Sequence, residues 1–218
     1  MIDMACTIPN FINLKHIDYR PRKIFANRYY LYFKIKRKKR KKIVFIIMKN
    51  PSESFKGYHL KKTKNYTDKF LDITTTKAIT LAKKKGYTDI FLLNLYPYYD
   101  SVARNINSHY GFVKRSNPKS NPVANDAVRY LKNIEVIEKL YNKYKELKPD
   151  VILACGNANG IFRGYYDARI KEILNFACKN SIVLKEVARY KSKCKGISSG
   201  KICYPKHPQR WGYNDNIY

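Results

Sequence analysis

The chain reads as an α/β protein, with a mainly parallel sheet of about four strands covered on both faces by helices in three layers. Three observations predict this. Short apolar runs at residues 43–48, 89–94 and 151–155 are too short for helices, and each stops abruptly at turn-forming residues. Stretches with helical apolar spacing at residues 72–85 and 125–147 lie between those runs. Right-handed crossovers then bring the carboxyl ends of the strands to one edge, where open sheets bind their ligands.

The elements follow in order. Residues 1–26 mix Pro9, Pro21 and scattered apolar side chains without a period and read as an irregular extension, leaving residues 27–218 as a single α/β domain. Residues 27–35, NRYYLYFKI, are aromatic and β-prone, and a run of Lys and Arg at 36–42 separates them from IVFIIM. Strand, basic turn and strand predict an N-terminal β-hairpin. A solvated turn is the commonest meaning of such a run; a nuclear-localisation or membrane-surface patch is the other.

The apolar run IVFIIM ends at Lys49-Asn50-Pro51-Ser52. Asn-Pro forces the chain out of the sheet into an exposed turn, which makes Asn50 and Ser52 candidate site residues. Residues 53–70 form a polar, Lys-rich connection long enough to suggest a function of its own. Ile73, Ala78, Ile79, Leu81 and Ala82 then mark a helix that Gly86 stops. The next strand, DIFLLN, delivers a second Asn, Asn94, to the same kind of edge, and residues 96–123 read as a loop rich in Tyr, Asn, Ser and Pro.

A long helix over 125–147 presents Val128, Leu131, Ile134, Ile137, Leu140, Tyr141 and Tyr144 on one face and ends before Pro149-Asp150. VILAC follows as a strand and runs into Gly156-Asn157-Ala158-Asn159-Gly160. A helix over about 167–179 and a strand over about 181–184 complete the alternation.

Composition narrows the function. The 218 residues carry 45 Lys and Arg against 16 Asp and Glu, a formal net charge of +29 at pH 7. This excess favours a polyanionic partner, above all nucleic acid, although an AT-rich coding sequence also yields many Lys, Asn, Ile and Tyr. It also opposes close self-association at low salt. Cys6, Cys155, Cys178, Cys194 and Cys203 form no CxxC pair, and the four His show no metal-ligand spacing. Neither a disulfide framework, a metal nor a cofactor is implied, and a reducing, cytoplasmic compartment is expected. No apolar stretch is long enough to span a bilayer, so no membrane partner is expected.

Taken together, several segments resemble a known family. RYYL at 28–31, IIMKNPS at 46–52, LAKKKGY, FLLNLYP at 91–97, Asn125-Asp126, VILACGNANG and KICYPKHP at 201–208 occur in the order found in the family catalogued as domain of unknown function 1643. The same order is similar, more distantly, to the uracil-DNA glycosylase superfamily. That resemblance implies a base-excising fold in which Asn50 positions water and Asn94 reads the base. Gly156 and Ala158 would take the third turn, where the strand-end turn also supplies Asn157 as a candidate, and His207 of the His-Pro loop would stabilise the departing base. Tyr96 and Tyr98 are available to stack on a base, and Arg210 lies just beyond the His-Pro pair. Lys49, Cys155 and Gln209 stand where that superfamily usually has a small or polar residue, Trp and Ser.

The expected function is hydrolysis of an N-glycosidic bond in nucleic acid, DNA rather than RNA, or in a nucleotide, with the base flipped or free. The alternative is a non-catalytic nucleic-acid or nucleotide binder that uses the same pocket.

Overall fold

The computed structural model describes residues 30–35, 41–50, 73–98, 102–110, 133–188, 204–212 and 215–218. Expectations for residues 1–26, the connection 53–70, Ser52, the basic run at 36–40 and the start of the long helix at 125–132 lie outside the described residues.

The strands are β1 (Tyr30–Lys34), β2 (Ile43–Met48), β3 (Asp89–Asn94), β4 (Asp150–Leu153) and β5 (Leu184–Lys185), with β6 (Val187–Ala188) and β7 (Asn216–Ile217) paired separately. The helices are α1 (Ile73–Lys84), α2 (Asn105–His109), α3 (Asn133–Tyr144) and α4 (Arg163–Lys179). The five-stranded sheet has the order β1-β3-β2-β4-β5. Its β3-β2, β2-β4 and β4-β5 pairs are parallel, and β1 runs antiparallel to β3. The architecture is α/β, with a mixed and mostly parallel sheet.

Two expectations are corrected. The sheet has five strands rather than about four, and the N-terminal hairpin does not form, because β1 pairs with β3 instead of β2. The reason lies in the two sequences. Every residue of β2 is buried, as suits a central strand covered on both faces, and parallel partners occupy both of its edges. In β1 only Leu31 and Phe33 are buried, in strict alternation, which suits the sheet edge. The basic residues before β2 also lack the Asn-Gly or Gly-X pair of a tight hairpin.

Alternation within the strands builds a core on each face. Phe45, Ile47, Phe91, Leu93, Val151 and Leu153 pack with Ile137 of α3 and with Ile170, Ile173 and Phe176 of α4. Val44, Ile46, Met48, Ile90, Leu92 and Ile152 pack on the other face with Ala78, Ile79, Leu81 and Ala82 of α1 and with Trp211. Ile73, expected on the apolar face of α1, is exposed at its first position.

Helix ends fall where local chemistry places them. Gly86 has φ +86°, and the Gly86 and Tyr87 N–H groups donate back to Lys83 O and Ala82 O, a Schellman closure only glycine enters cheaply. Lys83 and Lys84 sit in the last turn, where the helix dipole favours cations. α4 begins at Arg163, a turn earlier than Asp167, and a short α2 interrupts the expected loop.

Asp150 at the start of β4 joins three elements. Lys185 Nζ of β5 lies 2.8 Å from Oδ1, and the Tyr87 hydroxyl donates to Oδ2 at 2.6 Å. Burial pushes the Asp150 carboxyl up, but the bonds from Lys185 and Tyr87 outweigh it and hold the group below its ordinary value. A depressed folded value means that this stabilisation is complete above the unfolded carboxyl value of about 3.9 and is lost as pH falls through the lower folded value. Asp150→Asn should therefore lower stability at neutral pH and flatten the acid limb, as read by urea unfolding across pH.

Candidate functional site

The parallel strands end level with one another. Met48 of β2 lies opposite Asn94 of β3, and Ile47 lies opposite Leu153 of β4. Pairing continues one step further, with Leu95 N–H donating to Met48 O at 2.8 Å, Tyr96 N–H to Lys49 O at 3.0 Å and Ala154 N–H to Ile47 O at 2.8 Å. The segments after β2, β3 and β4 thus leave the sheet along a single edge. From β2 the chain turns to β3 on one side and later returns to β4 on the other, so the strand order reverses between β2 and β4. In open α/β sheets a ligand crevice lies at such a switch point, outside the carboxyl ends of the strands.

Asn50, half-buried, leaves the edge two residues past β2. Asn94 is the last residue of β3 and is almost wholly buried, at 1% exposure. Gly156, three residues past β4, is buried with φ +68°. A methyl group there would lie 3.0 Å from His207 Cβ, so the strand-end turn and the His-Pro segment are in direct contact. Asn157, next in the turn, is exposed, as is Arg210. The structure therefore brings Gly156 and His207 together and sets Asn50 and Asn94 on the same sheet edge.

The tyrosines have other neighbours. Tyr96 is fully buried, and its hydroxyl donates to Tyr165 O at 3.1 Å. Tyr98 is also buried, with one ring face stacked on His109 at 3.7 Å between centroids and 13° between planes. Both belong to the core that packs with α3 and α4.

The segment carrying His207 is pinned from several sides. Lys206 Nζ pairs with the buried Asp215 at 2.8 Å, the Gly212 N–H donates to the same carboxylate at 2.8 Å, and Trp211 Nε1 donates to Lys206 O at 2.9 Å. Lys77 of α1 donates to Gln209 O at 2.7 Å. His207 Nδ1 accepts the Gln209 N–H at 3.4 Å. An accepting Nδ1 leaves Nε2 to carry the proton of the neutral ring, which makes His207 a donor through Nε2.

The turn after β4 is held just as firmly. Tyr166 of α4 points its hydroxyl at Cys155 O and Gly156 O, at 2.9 and 2.7 Å. Asn107 of α2 donates to Gly160 O at 2.7 Å and accepts from the Phe162 N–H at 2.9 Å. Burial pushes the Cys155 thiol up to about 11, so it stays protonated and is not a nucleophile at neutral pH. Tyr166, displaced upward chiefly by burial, stays neutral.

Sequence reasoning identified Lys49 only as a departure from a pattern. Its ammonium lies 3.5 Å from Asn159 O and 5.7 Å from the centre of the Tyr166 ring, so the side chain crosses from the end of β2 to the turn after β4. Asn107, Tyr166 and Asp215 carry no sequence signal of their own. Each is one polar residue among many until the fold sets it beside the site.

Among the described residues, no group of three or more His, Cys, Asp or Glu is placed to hold a metal ion. None of their helices is long and apolar enough to cross a membrane. No curated protein and no solved structure matches the chain. A family model described as "Protein of unknown function (DUF1643)" matches residues 28–209, well over half of the sequence. The match spans β1 to the His-Pro segment and so includes both sides of the crevice, and the chain belongs to that family.

Proposed function

We propose that the crevice at the carboxyl edge of β2, β3 and β4 is a base pocket, and that the chain cleaves an N-glycosidic bond in nucleic acid, DNA rather than RNA, or in a nucleotide. The contact of His207 with Gly156 at the edge that also carries Asn50 and Asn94 is the observation that carries this reading. The reading follows the resemblance of the strand-end segments to the uracil-DNA glycosylase superfamily, and the net charge of +29 suits a phosphate-bearing substrate.

Breaking this bond builds positive charge on the sugar and negative charge on the base. The site then needs a placed water and a donor for the base rather than a strong nucleophile. Asn50 is suited to orient the water, and its amide can both accept from and donate to it. Asn94, held rigidly in the last position of β3, is suited to read a base edge. The proton on His207 Nε2 is suited to stabilise the developing anion, because the segment that carries the ring is held by the Lys206–Asp215 pair. Tyr96 and Tyr98, next along the chain, are as deeply buried as Asn94.

The test is release of free base from a panel of oligonucleotides and nucleotides carrying unmodified and deaminated bases, followed by chromatography. Release from at least one substrate is the expected result. Binding that weakens log-linearly with salt, with no base released from any substrate, would instead support the alternative of a non-catalytic binder in the same pocket.

A further inference from the structure

The base-pocket reading leaves Lys49, at the end of β2, unused. Its side chain is partly buried between the end of β2 and the turn after β4, under the Tyr166 ring. The polar partner of its ammonium is a neutral carbonyl, Asn159 O at 3.5 Å, and no carboxylate among the described residues forms an ion pair with it. Asp167, next to Tyr166 on α4, is engaged elsewhere: it accepts from the Tyr204 hydroxyl at 2.5 Å and pairs with Arg163 at 3.5 Å. The first turn of α4 carries no acidic residue. Burial pulls the Lys49 ammonium below its ordinary value, and only the Cys155 thiol opposes the shift.

A cation that has lost part of its hydration, with no counter-ion among the described residues, is stabilised by an anion that enters the crevice. We propose that Lys49 forms a phosphate subsite in the crevice between β2 and β4, so that the ligand of this edge is a nucleotide or nucleic-acid phosphate rather than a free base or nucleoside. The proposal rests on the base-pocket reading of the edge, and its test uses a ligand without a base so that the two can fail separately. Lys49 would hold the phosphate while the side chains of Asn50, Asn94 and His207 face the sugar and base. Tyr166 would keep the lysine stem in place.

The probe is 2-deoxyribose 5-phosphate, compared with 2-deoxyribose, titrated calorimetrically into the full-length chain. Wild-type protein should prefer the phosphate. Lys49→Gln should weaken phosphate binding by about 10- to 100-fold, the range of a hydrogen bond to a charged group. Lys49→Arg, which keeps the charge, should retain most of the affinity. Lys179→Gln, at the far end of α4 and exposed, should change little. The sugar phosphate should also protect Lys49, and not Lys179, from amine acylation in the wild-type chain, a readout independent of whether a variant folds. Equal binding of the two sugars, equal losses in Lys49→Gln and Lys179→Gln, or unprotected Lys49 would each overturn the subsite. Phosphate-selective binding without base release would keep the subsite and remove the glycosidase reading. Base release with no selectivity for the phosphate would do the reverse.

Discussion

Replacing Asn50 by alanine is expected to lower base release by about 10²-fold or more, the scale of loss when a reacting group is misplaced by an ångström. Binding should change much less. Asn50 lies past the end of β2 and outside the packed core, so the substitution leaves no apolar cavity and should shift the melting temperature little. In the proposed mechanism it acts on the attacking water, whose placement matters in the transition state more than in the bound complex. The measurement is kcat and KM for the best substrate of the panel, with the affinity for the same oligonucleotide measured separately. A fall in kcat with nearly constant affinity is the predicted split. Unchanged kcat would remove Asn50 from the mechanism.

Gly156→Ala is expected to have the largest effect on both stability and the site. An alanine at φ +68° costs about 1–2 kcal/mol, because Cβ crowds the following carbonyl. Its methyl group would also meet His207 Cβ at 3.0 Å, and forcing buried atoms apart costs about 1–3 kcal/mol more. At about 2–4 °C per kcal/mol for a chain of this size, the melting temperature should fall by roughly 4–20 °C. The folded fraction should also lose base release, because the His207 ring is displaced from the turn. Gly160→Ala separates the two effects. Gly160 has φ +86°, and a methyl group there would meet the Arg104 backbone nitrogen at 3.0 Å rather than His207. Comparable destabilisation with largely retained turnover in Gly160→Ala, against lost turnover in Gly156→Ala, assigns the functional loss to His207.

Much of this edge was legible before any coordinates. Apolar runs that stop at Asn50, Asn94 and Cys155-Gly156 mark buried strands and the side from which they exit, because only the central strands of a parallel sheet are apolar on both faces. The position of β1 was not legible. It depends on which strand edges remain after β3 and β4 have taken both sides of β2, and that competition is settled by the whole sheet, whereas the hairpin expectation used only neighbours in sequence.

The support around the site was illegible for a related reason. Lys206 and Asp215 are ordinary polar residues in sequence, yet their 2.8 Å pair fixes the segment that carries His207. Tyr166 is one of 20 tyrosines, and only the approach of α4 to the turn after β4 aims its hydroxyl at two carbonyls. Lys49 looked like a departure from a pattern, and the fold shows it as a bridge across the switch point. Tyr96 and Tyr98 follow Asn94 in sequence and are as deeply buried as it is, Tyr98 with one ring face stacked on His109.

The most direct test of the central claim is the position of a bound ligand. A crystal structure of the Asn50→Ala chain with a short single-stranded oligonucleotide should place one nucleotide in the crevice between β2 and β4, its base against Asn94 and His207. An oligonucleotide bound elsewhere on the chain, with that crevice empty, would overturn the base pocket.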